Sequence, residues 1–558
     1  MLAFLTLALA AGPDWRPLDE AAITEARDHH KWLFLDVEAV WCHWCHVMDA
    51  TTYTDPRVLK ALSKHFVPVR VDQDARPDLS RRYRDYGWPA LVVLDPDTLD
   101  DLAIGSGYHE VDELLALLEA GRKRRGAPAR PVADRVMPTG DAGLTDPQRE
   151  ALEARLVGAY DAREGGWGRA HKYVPWRNVE WELLAGDPDG RARQTLDAGR
   201  ALIDPVWGGV YQYSTHGDWE HAHFEKIMRF QGEIARVYAL AYQVQGRPED
   251  LQAARDILRH VTTFLDDPSG GFHTSQDADL VPGEHSAGYF ALDDAGRRAL
   301  GVPRVDPHVY AGETGLAVVG LVALARASGE RAPLERAERA GAWLLAERAR
   351  PDGLFAREGG GGPPFLADQV EVGRAFLALH QATGERRWLD ATASMLEGLS
   401  GFRHPEAGFL TGLPAPAVPA PVCDRDENAK LARLANLVGH ATGNRAFHDL
   451  SDHAMRFVAA DAGSTGWHVG GVLVTDAERR TAPVHVVIVG EPSEALLAAT
   501  AGLGPYAVVE RLAPGEAGAN GVEYPDLGAA AFFCAEGRCS PPITEADVLA
   551  DQVRRWPR

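Results

Sequence analysis

The chain has 558 residues, and 58 lysines and arginines against 80 aspartates and glutamates give a net charge of −22. Hydrophobic residues make up 45% and charged residues 25%, which are ordinary globular values and exclude a mainly disordered chain. The acidic charge repels nucleic acid and anionic lipid, so neither is predicted as a partner. No apolar run approaches the roughly 20 residues of a membrane-spanning helix, so no membrane insertion is predicted once an N-terminal signal is removed.

The N-terminus has the pattern of a short secretory signal over residues 1–12. Residues 2–11 read LAFLTLALAA, Ala8–Ala10 matches an A-x-A cleavage pattern, and polar sequence starts at Asp14. This pattern predicts export to the periplasm or the extracellular space. Because no basic segment precedes the apolar run, a cytoplasmic protein with a buried N-terminal strand or helix is the alternative.

Residues 15–125 are predicted to form an α/β domain. Apolar strands are expected at 32–37 and 66–71, a third at 91–94 after Gly87-Trp88-Pro89, and a helix at 111–121. The sequence WCHWCH at 41–46 stands between the first strand and a predicted helix. Strands that alternate with helices in this way are typical of an α/β fold.

Three chemistries compete for the motif Cys42-His43-Trp44-Cys45-His46. Thiol–disulfide exchange uses the thiolate of Cys42 at a helix N-terminus, where the helix dipole stabilises it, and Cys45 as the resolving thiol. The motif also matches the C-x-x-C-H pattern of covalent haem, and its thiolates and imidazoles are zinc ligand types. The preceding strand, the carboxylate Asp36 on it and the later Pro89 favour exchange. No cofactor and no metal site are therefore predicted.

After a predicted linker at 126–144, the pattern over 145–480 is almost wholly helical and contains a repeat. The turn Asp161-x3-Gly165-Gly166 recurs from Asp204 and from Asp266, each time between long amphipathic stretches. Turns of this kind suit helical hairpins, and about six hairpins that close on themselves form an all-α (α/α)6 toroid. An open helical solenoid is the structural alternative.

Residues 481–558 are predicted to form a small α/β region at the C-terminus. Apolar runs at 485–489, 506–512 and 529–534 are typical of strands. Cys534 and Cys539 are close enough for a local disulfide in an exported protein, and a free pair is the alternative. Cys423 stands alone in the sequence.

Polar and aromatic residues near the repeat turns are the candidate substrate site of the toroid, because the loop ends of toroid helices surround a central funnel. The candidates are Trp207, Tyr211, His221, His223, Glu225, Lys226 and Asp277. Such aromatics stack on sugar rings, and histidine or carboxylate pairs move protons in sugar chemistry. The alternative is structural, with Glu225 paired to Arg229 on one helix and Trp207 and Tyr211 in the core.

Five separated stretches together resemble the spermatogenesis-associated type of long thioredoxin-domain protein. They are WCHWCHVM at 41–48, VDQDARPDLSRRY at 71–83, WGGVYQYSTHGDWEHAHFEKIMRFQ at 207–231, GGFHTSQDAD at 270–279 and AAFFCAEGRC at 530–539. The resemblance implies a thioredoxin-like fold over 15–125, with Cys42 and Cys45 as the redox pair and Pro89 as its cis proline. It also implies a toroid similar to those of sugar epimerases and glycosidases.

These observations leave three functional hypotheses. The first is a thiol–disulfide oxidoreductase-like enzyme for a protein thiol or disulfide client, in which Asp36 relays protons, Pro89 shapes the groove and the toroid selects the client. The second is a carbohydrate-active toroid, an epimerase or glycosidase relative that binds a small sugar and is gated by the redox domain. The third is a non-catalytic binding scaffold.

Overall fold

The computed structural model describes residues 12–124, 140–359, 361–464, 466–491, 493–519 and 521–555. The predicted signal and most of the predicted linker lie outside the described residues. The helices are α1 (Glu20–Asp28), α2 (His43–Ala50), α3 (Pro56–His65), α4 (Pro77–Tyr83), α5 (Val111–Arg122), α6 (Asp146–Gly158), α7 (Trp176–Leu184), α8 (Arg191–Gly199), α9 (Met228–Gln245), α10 (Pro248–Phe264), α11 (Ala287–Phe290), α12 (Asp294–Leu300), α13 (Ala311–Ser328), α14 (Arg331–Glu347), α15 (Leu366–Thr383), α16 (Arg386–Glu397), α17 (Arg425–Thr442), α18 (Arg445–Asp461), α19 (Gly470–Arg480), α20 (Glu494–Ala499) and α21 (Ala546–Arg555). The strands are β1 (Trp32–Glu38), β2 (Phe66–Asp72), β3 (Ala90–Leu94), β4 (Asp101–Ser106), β5 (Tyr213–Ser214), β6 (Ala222–His223), β7 (Lys226–Ile227), β8 (Ser275–Gln276), β9 (Val484–Val489), β10 (Ala507–Leu512), β11 (Ala530–Ala535) and β12 (Arg538–Cys539).

The chain divides into two compact units that are not continuous in sequence. Among the described residues, the first unit combines 12–124 with the segments Asp277–Arg304 and Gly412–Val422, and the second contains the others. The sequence analysis assigned both segments to the toroid. They join the first unit because Asp279 bonds to α2 and because Ala417 and Val418 pack against the apolar core of the sheet.

The first unit is built on a four-stranded sheet with the order β2-β1-β3-β4. Strand β1 is parallel to β2 and antiparallel to β3, and β4 is antiparallel to β3. Side chains of β1 alternate between two cores, with Leu33 and Leu35 beside α1 and α4, and Phe34 beside α2, α3 and α5. Helices therefore cover both faces of a thioredoxin-like sheet, and α2 follows the carboxyl end of the central strand β1.

The second unit is a closed ring of helix pairs. The inner helices contact one another in the order α7, α9, α13, α15, α17 and α19, and α19 contacts α7 to close the ring. Their outer partners are α8, α10, α14, α16, α18 and, on α19, the early helix α6. This closure makes the unit an (α/α)6 toroid and excludes the open solenoid. Helix α13 has the length and apolar composition of a membrane span, but 72% of it is buried, as is common for a core helix.

A buried cation fixes each of the three D-x3-GG turns. The pairs are Lys172–Asp161, Lys226–Asp204 and Arg336–Asp266. Lys226 Nζ also lies 2.8 Å from the carbonyl oxygen of Gly208, whose φ is +72°. A Cβ at Gly208 would stand 2.0 Å from the backbone oxygen of Asp256, so both the conformation and the close packing require glycine there.

Charged side chains of the inner helices form a network inside the ring. The carboxylates are Glu180, Glu233, Glu371 and Glu478, and the cations are Arg236, Arg374, Lys430 and Arg433. Because the four negative charges match four positive ones, burial of these groups is compensated.

The C-terminal residues of the second unit form a separate sheet with the order β10-β9-β11-β12. Cys534 and Cys539 face each other across β11 and β12 and form a disulfide with their Cα atoms 4.0 Å apart. The predicted fold class is confirmed: a thioredoxin-like domain, an (α/α)6 toroid and a small α/β appendage.

Candidate functional site

The Cys42–Cys45 pair lies at the start of α2. The two sulfurs form a disulfide, and the Cα atoms are 5.3 Å apart. Cys42 is the N-cap residue of α2, and its Sγ accepts the backbone N–H of Cys45 over 3.2 Å. A sulfur held at the positive end of a helix dipole by an N–H group is stabilised as a thiolate after reduction. The peptide bond between Trp88 and Pro89, just before β3, is cis.

Two acids on β1 share one arginine of β2. Asp36 is buried, and its Oδ2 accepts a hydrogen bond of 3.2 Å from Arg70 Nη2, while Glu38 Oε2 lies 3.3 Å from Arg70 Nε. Burial raises the pKa of Asp36 to about 6, although the charge of Arg70 opposes this. Burial and then the charge of Asp36 raise the pKa of Glu38 to about 8. These carboxyl groups exchange protons near neutral pH, the range in which a proton relay works.

We expect Glu38→Gln to stabilise the first unit at alkaline pH. The native pKa of Glu38, about 8, exceeds its ordinary value of 4.5, so between these values the native state keeps a proton that the unfolded state loses. Stability therefore falls as pH rises through this window. At pH 9 the variant should be more stable by at least about 1 kcal/mol, and the two proteins should converge below about pH 4.5.

The pH effect is measured by deuterium uptake in β1 peptides during urea unfolding at pH 4, 7 and 9. Asp112→Asn, which removes an exposed carboxylate from α5, is the matched control and should leave the pH profile unchanged. A stability difference that shrinks as pH rises would contradict the assignment.

The segment Asp277–Arg304 contributes a carboxylate that binds both histidines of the WCHWCH motif. Asp279 Oδ1 lies 2.8 Å from His43 Nδ1, and Asp279 Oδ2 lies 3.1 Å from His46 Nδ1. Burial raises the pKa of Asp279, but hydrogen bonds from His43 and His46 outweigh this and hold it well below its usual range. Asp277 Oδ1 accepts the Asp279 N–H, and its Oδ2 lies 3.8 Å from His46 Nε2. Asp277 is thus placed beside the cysteine motif and not in the toroid.

Sequence reasoning did not identify Asp279 as part of this site. The carboxylate is separated from His43 by 236 positions, and no local spacing rule joins residues that far apart. The available signal was the stretch GGFHTSQDAD, which contains Asp279, but its partner was not deduced.

We expect Asp279→Asn to make Cys42 more accessible. Cys42 and His43 are each only 4% exposed. An alkylating reagent therefore reaches Cys42 only when the structure around it opens locally. The neutral amide loses charge-assisted hydrogen bonds worth about 1.5–3 kcal/mol each, so alkylation of reduced Cys42 should accelerate at least about tenfold. Mass spectrometry of iodoacetamide labelling in the presence of a chelator measures this rate. Asp112→Asn is again the control, and equal labelling rates for all three proteins would refute the prediction.

The structure gives three of the candidate toroid residues structural roles. Lys226 is buried, and its Nζ lies 2.7 Å from Asp204 Oδ2, so its charge is paired within a repeat turn. Trp207 packs on Phe264 with ring centroids 4.8 Å apart, and Tyr211 is buried as well. These three side chains are buried in structural contacts, and their role in substrate binding stays a prediction.

The other candidate residues of the toroid lie on or beside β6. The side chain of His221 is 53% exposed and pairs with Asp218. His223 stacks on Tyr213 with centroids 4.3 Å apart, and its Nδ1 lies 3.9 Å from Glu225 Oε1. Glu225 is buried, and its Oε2 has no hydrogen-bond partner among the described residues. His223 and Glu225 therefore lie beside each other.

A buried acidic group in the toroid is centred on Asp368. Arg357 binds Asp368 Oδ1 over 2.8 Å and Glu313 Oε1 over 3.1 Å, and its guanidinium lies 4.0 Å from the ring centroid of Tyr310. Burial, opposed by Arg357 and aided by Glu313, raises the pKa of Asp368 to about 6. Asp368 Oδ2 is buried without a hydrogen-bond partner in the described residues. One carboxyl group with a raised pKa beside another carboxylate is the arrangement of an acid–base pair.

Comparisons with known proteins agree with the thioredoxin-like part. Residues 3–110 match the family described as "Protein of unknown function, DUF255". The chain is 28% identical to human spermatogenesis-associated protein 20 over 314 residues, which are 48% of this chain and 39% of that protein. An 81-residue stretch is 32% identical to the thiol:disulfide interchange protein DsbD of Pseudomonas fluorescens and covers 14% of each protein.

A search of solved structures returned the cellobiose 2-epimerase of Bacillus thermoamylovorans. That likeness has a TM-score of 0.45 and 10% identity, and it covers 56% of this chain and 87% of the epimerase. The resemblance to spermatogenesis-associated proteins is confirmed. The match spans well under half of the human protein's length.

Proposed function

We propose that the protein is a thiol–disulfide oxidoreductase that acts on a protein thiol or disulfide client through Cys42 and Cys45. The observation that carries this proposal is the position of Cys42 as the N-cap of α2, with its sulfur accepting the Cys45 N–H. This position favours the thiolate, which is the attacking form. The 81-residue likeness to a thiol:disulfide interchange protein supports the same chemistry.

The exchange has two steps. The Cys42 thiolate attacks one sulfur of a client disulfide, a mixed disulfide forms, and the first client sulfur leaves as a thiolate that takes up a proton. The Cys45 thiolate then attacks the Cys42 sulfur and releases the second client thiol. The client gains two electrons, and the pair loses two as its disulfide forms. Asp36, with its pKa near 6, accepts the Cys45 proton, and the reverse sequence oxidises a client dithiol.

The proposal includes export. The leader-like pattern of residues 1–12 and the Cys534–Cys539 disulfide both support an oxidising compartment. In that setting Cys42 and Cys45 alternate between the dithiol and the disulfide, whereas the C-terminal pair stays oxidised. The toroid, joined to the redox domain in one chain, selects the client.

Trapping a mixed disulfide tests this function. Reduced Cys45→Ser is mixed with intact insulin, whose two chains are joined by disulfides, and we expect one covalent adduct per protein chain at Cys42, because no resolving thiol remains. Cys42→Ser is the matched control and should form no adduct at Cys45 at a comparable rate. A folded Cys45→Ser protein that forms no adduct would overturn the proposal.

A carbohydrate-active toroid is the second proposed function, and the acid group around Asp368 favours it. Asp368, with its pKa near 6, and the neighbouring carboxyl group of Glu313 would serve as an acid–base pair on a small sugar. Binding of a panel of mono- and disaccharides is measured by calorimetry for the wild type, Asp368→Asn and the exposed-site control Glu335→Gln. Saturable binding that Asp368→Asn weakens supports this function, and no binding across the panel refutes it.

A further inference from the structure

The imidazole of His46 faces two oxygen acceptors. Its Nε2 lies 3.1 Å from the carbonyl oxygen of Val40, and its Nδ1 lies 3.1 Å from Asp279 Oδ2. A carbonyl oxygen only accepts, so Nε2 must carry the proton that it donates to Val40. In the neutral ring, Nδ1 then presents a lone pair to a carboxylate oxygen. That contact is repulsive unless a cation, either a proton or a metal ion, lies between the two atoms.

The surroundings of this contact have the composition of a metal site. One ligand atom each from His46, Asp277 and Asp279 lies within 4.8 Å of the others. Donors bound to one tetrahedral zinc ion at about 2.0–2.2 Å stand about 3.3–3.6 Å apart. Asp277 and Asp279 are 2% and 3% exposed, so the donor atoms stand together in a buried arrangement.

The outer contacts also match a metal site. A histidine that binds metal through one nitrogen usually donates its other N–H to a carbonyl or carboxylate, and ligating carboxylates receive hydrogen bonds of their own. His46 Nε2 meets Val40 in this way, and Asp279 accepts from His43 Nδ1 at 2.8 Å and from the Gly283 N–H at 2.8 Å. These contacts hold the donor atoms in place without using the two cysteines.

We propose that the protein binds one divalent transition-metal ion of the zinc class through His46 Nδ1 and the carboxylates of Asp277 and Asp279. Mixed imidazole and carboxylate donors suit zinc and its neighbours better than magnesium or calcium. The site lies one residue beyond Cys45, so the ion places positive charge beside the redox pair. The inserted segment Asp277–Arg304 thereby completes a site that the motif cannot form alone.

The test uses the oxidised full-length protein, in which all disulfide sulfurs are excluded as ligands. After chelator treatment, calorimetry with Zn²⁺ should give one site per chain, and Co²⁺ should give d–d absorption without a thiolate charge-transfer band. Asp279→Asn and Asp277→Asn should each weaken Zn²⁺ binding at least about tenfold. Glu510→Gln, which alters the His485–Glu510 pair in the C-terminal sheet, should bind as the wild type does.

Zinc K-edge absorption on the wild type keeps the proposal falsifiable if the variants fail to fold. An all nitrogen and oxygen shell with one imidazole supports the site, and sulfur scattering contradicts it. Oxidised wild type that binds neither Zn²⁺ nor Co²⁺ at 100-fold molar excess overturns the proposal, because a proton on His46 then fills the gap. Binding that both aspartate variants retain also overturns it.

Discussion

We expect Cys42→Ser to lower the protein-catalysed rate of insulin reduction, measured above the background of dithiothreitol alone, by about a thousandfold or more, because it removes the nucleophile from a catalytic unit. Serine keeps the N-cap hydrogen bond to α2 because its hydroxyl accepts the Cys45 N–H, so the loss reports chemistry and not unfolding. The remaining Cys45 lacks the N-cap position that favours the Cys42 thiolate, so it should not replace Cys42 as the attacking thiol.

The matched control for this result is Cys423→Ser. Cys423 is the free cysteine of the described residues, and burial, with the charges of Asp424 and Glu427, raises its pKa to about 12, so it is a poor nucleophile. Its replacement should leave turnover within twofold of the wild type. Cys42→Ser protein that keeps more than a tenth of wild-type turnover would contradict the assignment of the nucleophile.

Glu233→Gln has the largest expected effect on stability. Glu233 is 1% exposed and lies 3.0 Å from Arg236 and 2.8 Å from both Arg374 and Lys430. Burial raises the pKa of Glu233, but the charges of Arg374, Lys430 and Arg236 outweigh it and hold the pKa well below the ordinary value. The neutral amide removes one buried negative charge that pairs with three cations, and it should reduce the unfolding free energy of the toroid by about 3–5 kcal/mol.

The measurement is urea unfolding followed by deuterium uptake in peptides of α9 and α15. Glu335→Gln changes an exposed i,i+4 partner of Arg331 on α14 and should cost about 0.5 kcal/mol or less. Equal losses in the two variants would show that the buried network does not stabilise the ring. Restored stability in Glu233→Gln combined with Lys430→Met would support the charge-balance explanation.

The fold was largely readable because its signals are local. The strand before WCHWCH and the D-x3-GG turns each depend on neighbours in sequence. The sequence predicted a closed ring of helical hairpins, but not which helices meet where the ring closes. Helix α6, which precedes the ring in the chain, packs on α19, the last helix of the ring. The sequence did not predict that residues 277–304 belong to the first unit. Their place there depends on contacts of Asp279 with His43 and His46, which are far away in sequence.

The site was predictable at Cys42 and Cys45 and poorly predictable in the toroid. A polar or aromatic residue beside a glycine turn either contacts a ligand or supports the turn. The local sequence pattern is the same in both cases. Lys226 and Trp207 support turns, as their buried contacts show. The raised pKa of Asp368 could not be predicted from the sequence. It comes from burial and from the charge of Glu313, and both depend on the folded structure.

The measurement that tests the central claim most directly is a redox titration of the wild-type protein in glutathione buffers, with the Cys42–Cys45 state read by alkylation and mass spectrometry. The proposed function predicts a reversible transition with a two-electron Nernst slope, at potentials where Cys534–Cys539 stays oxidised. A Cys42–Cys45 disulfide that stays closed across the series, or that does not re-form after reduction, would contradict it and favour the non-catalytic scaffold.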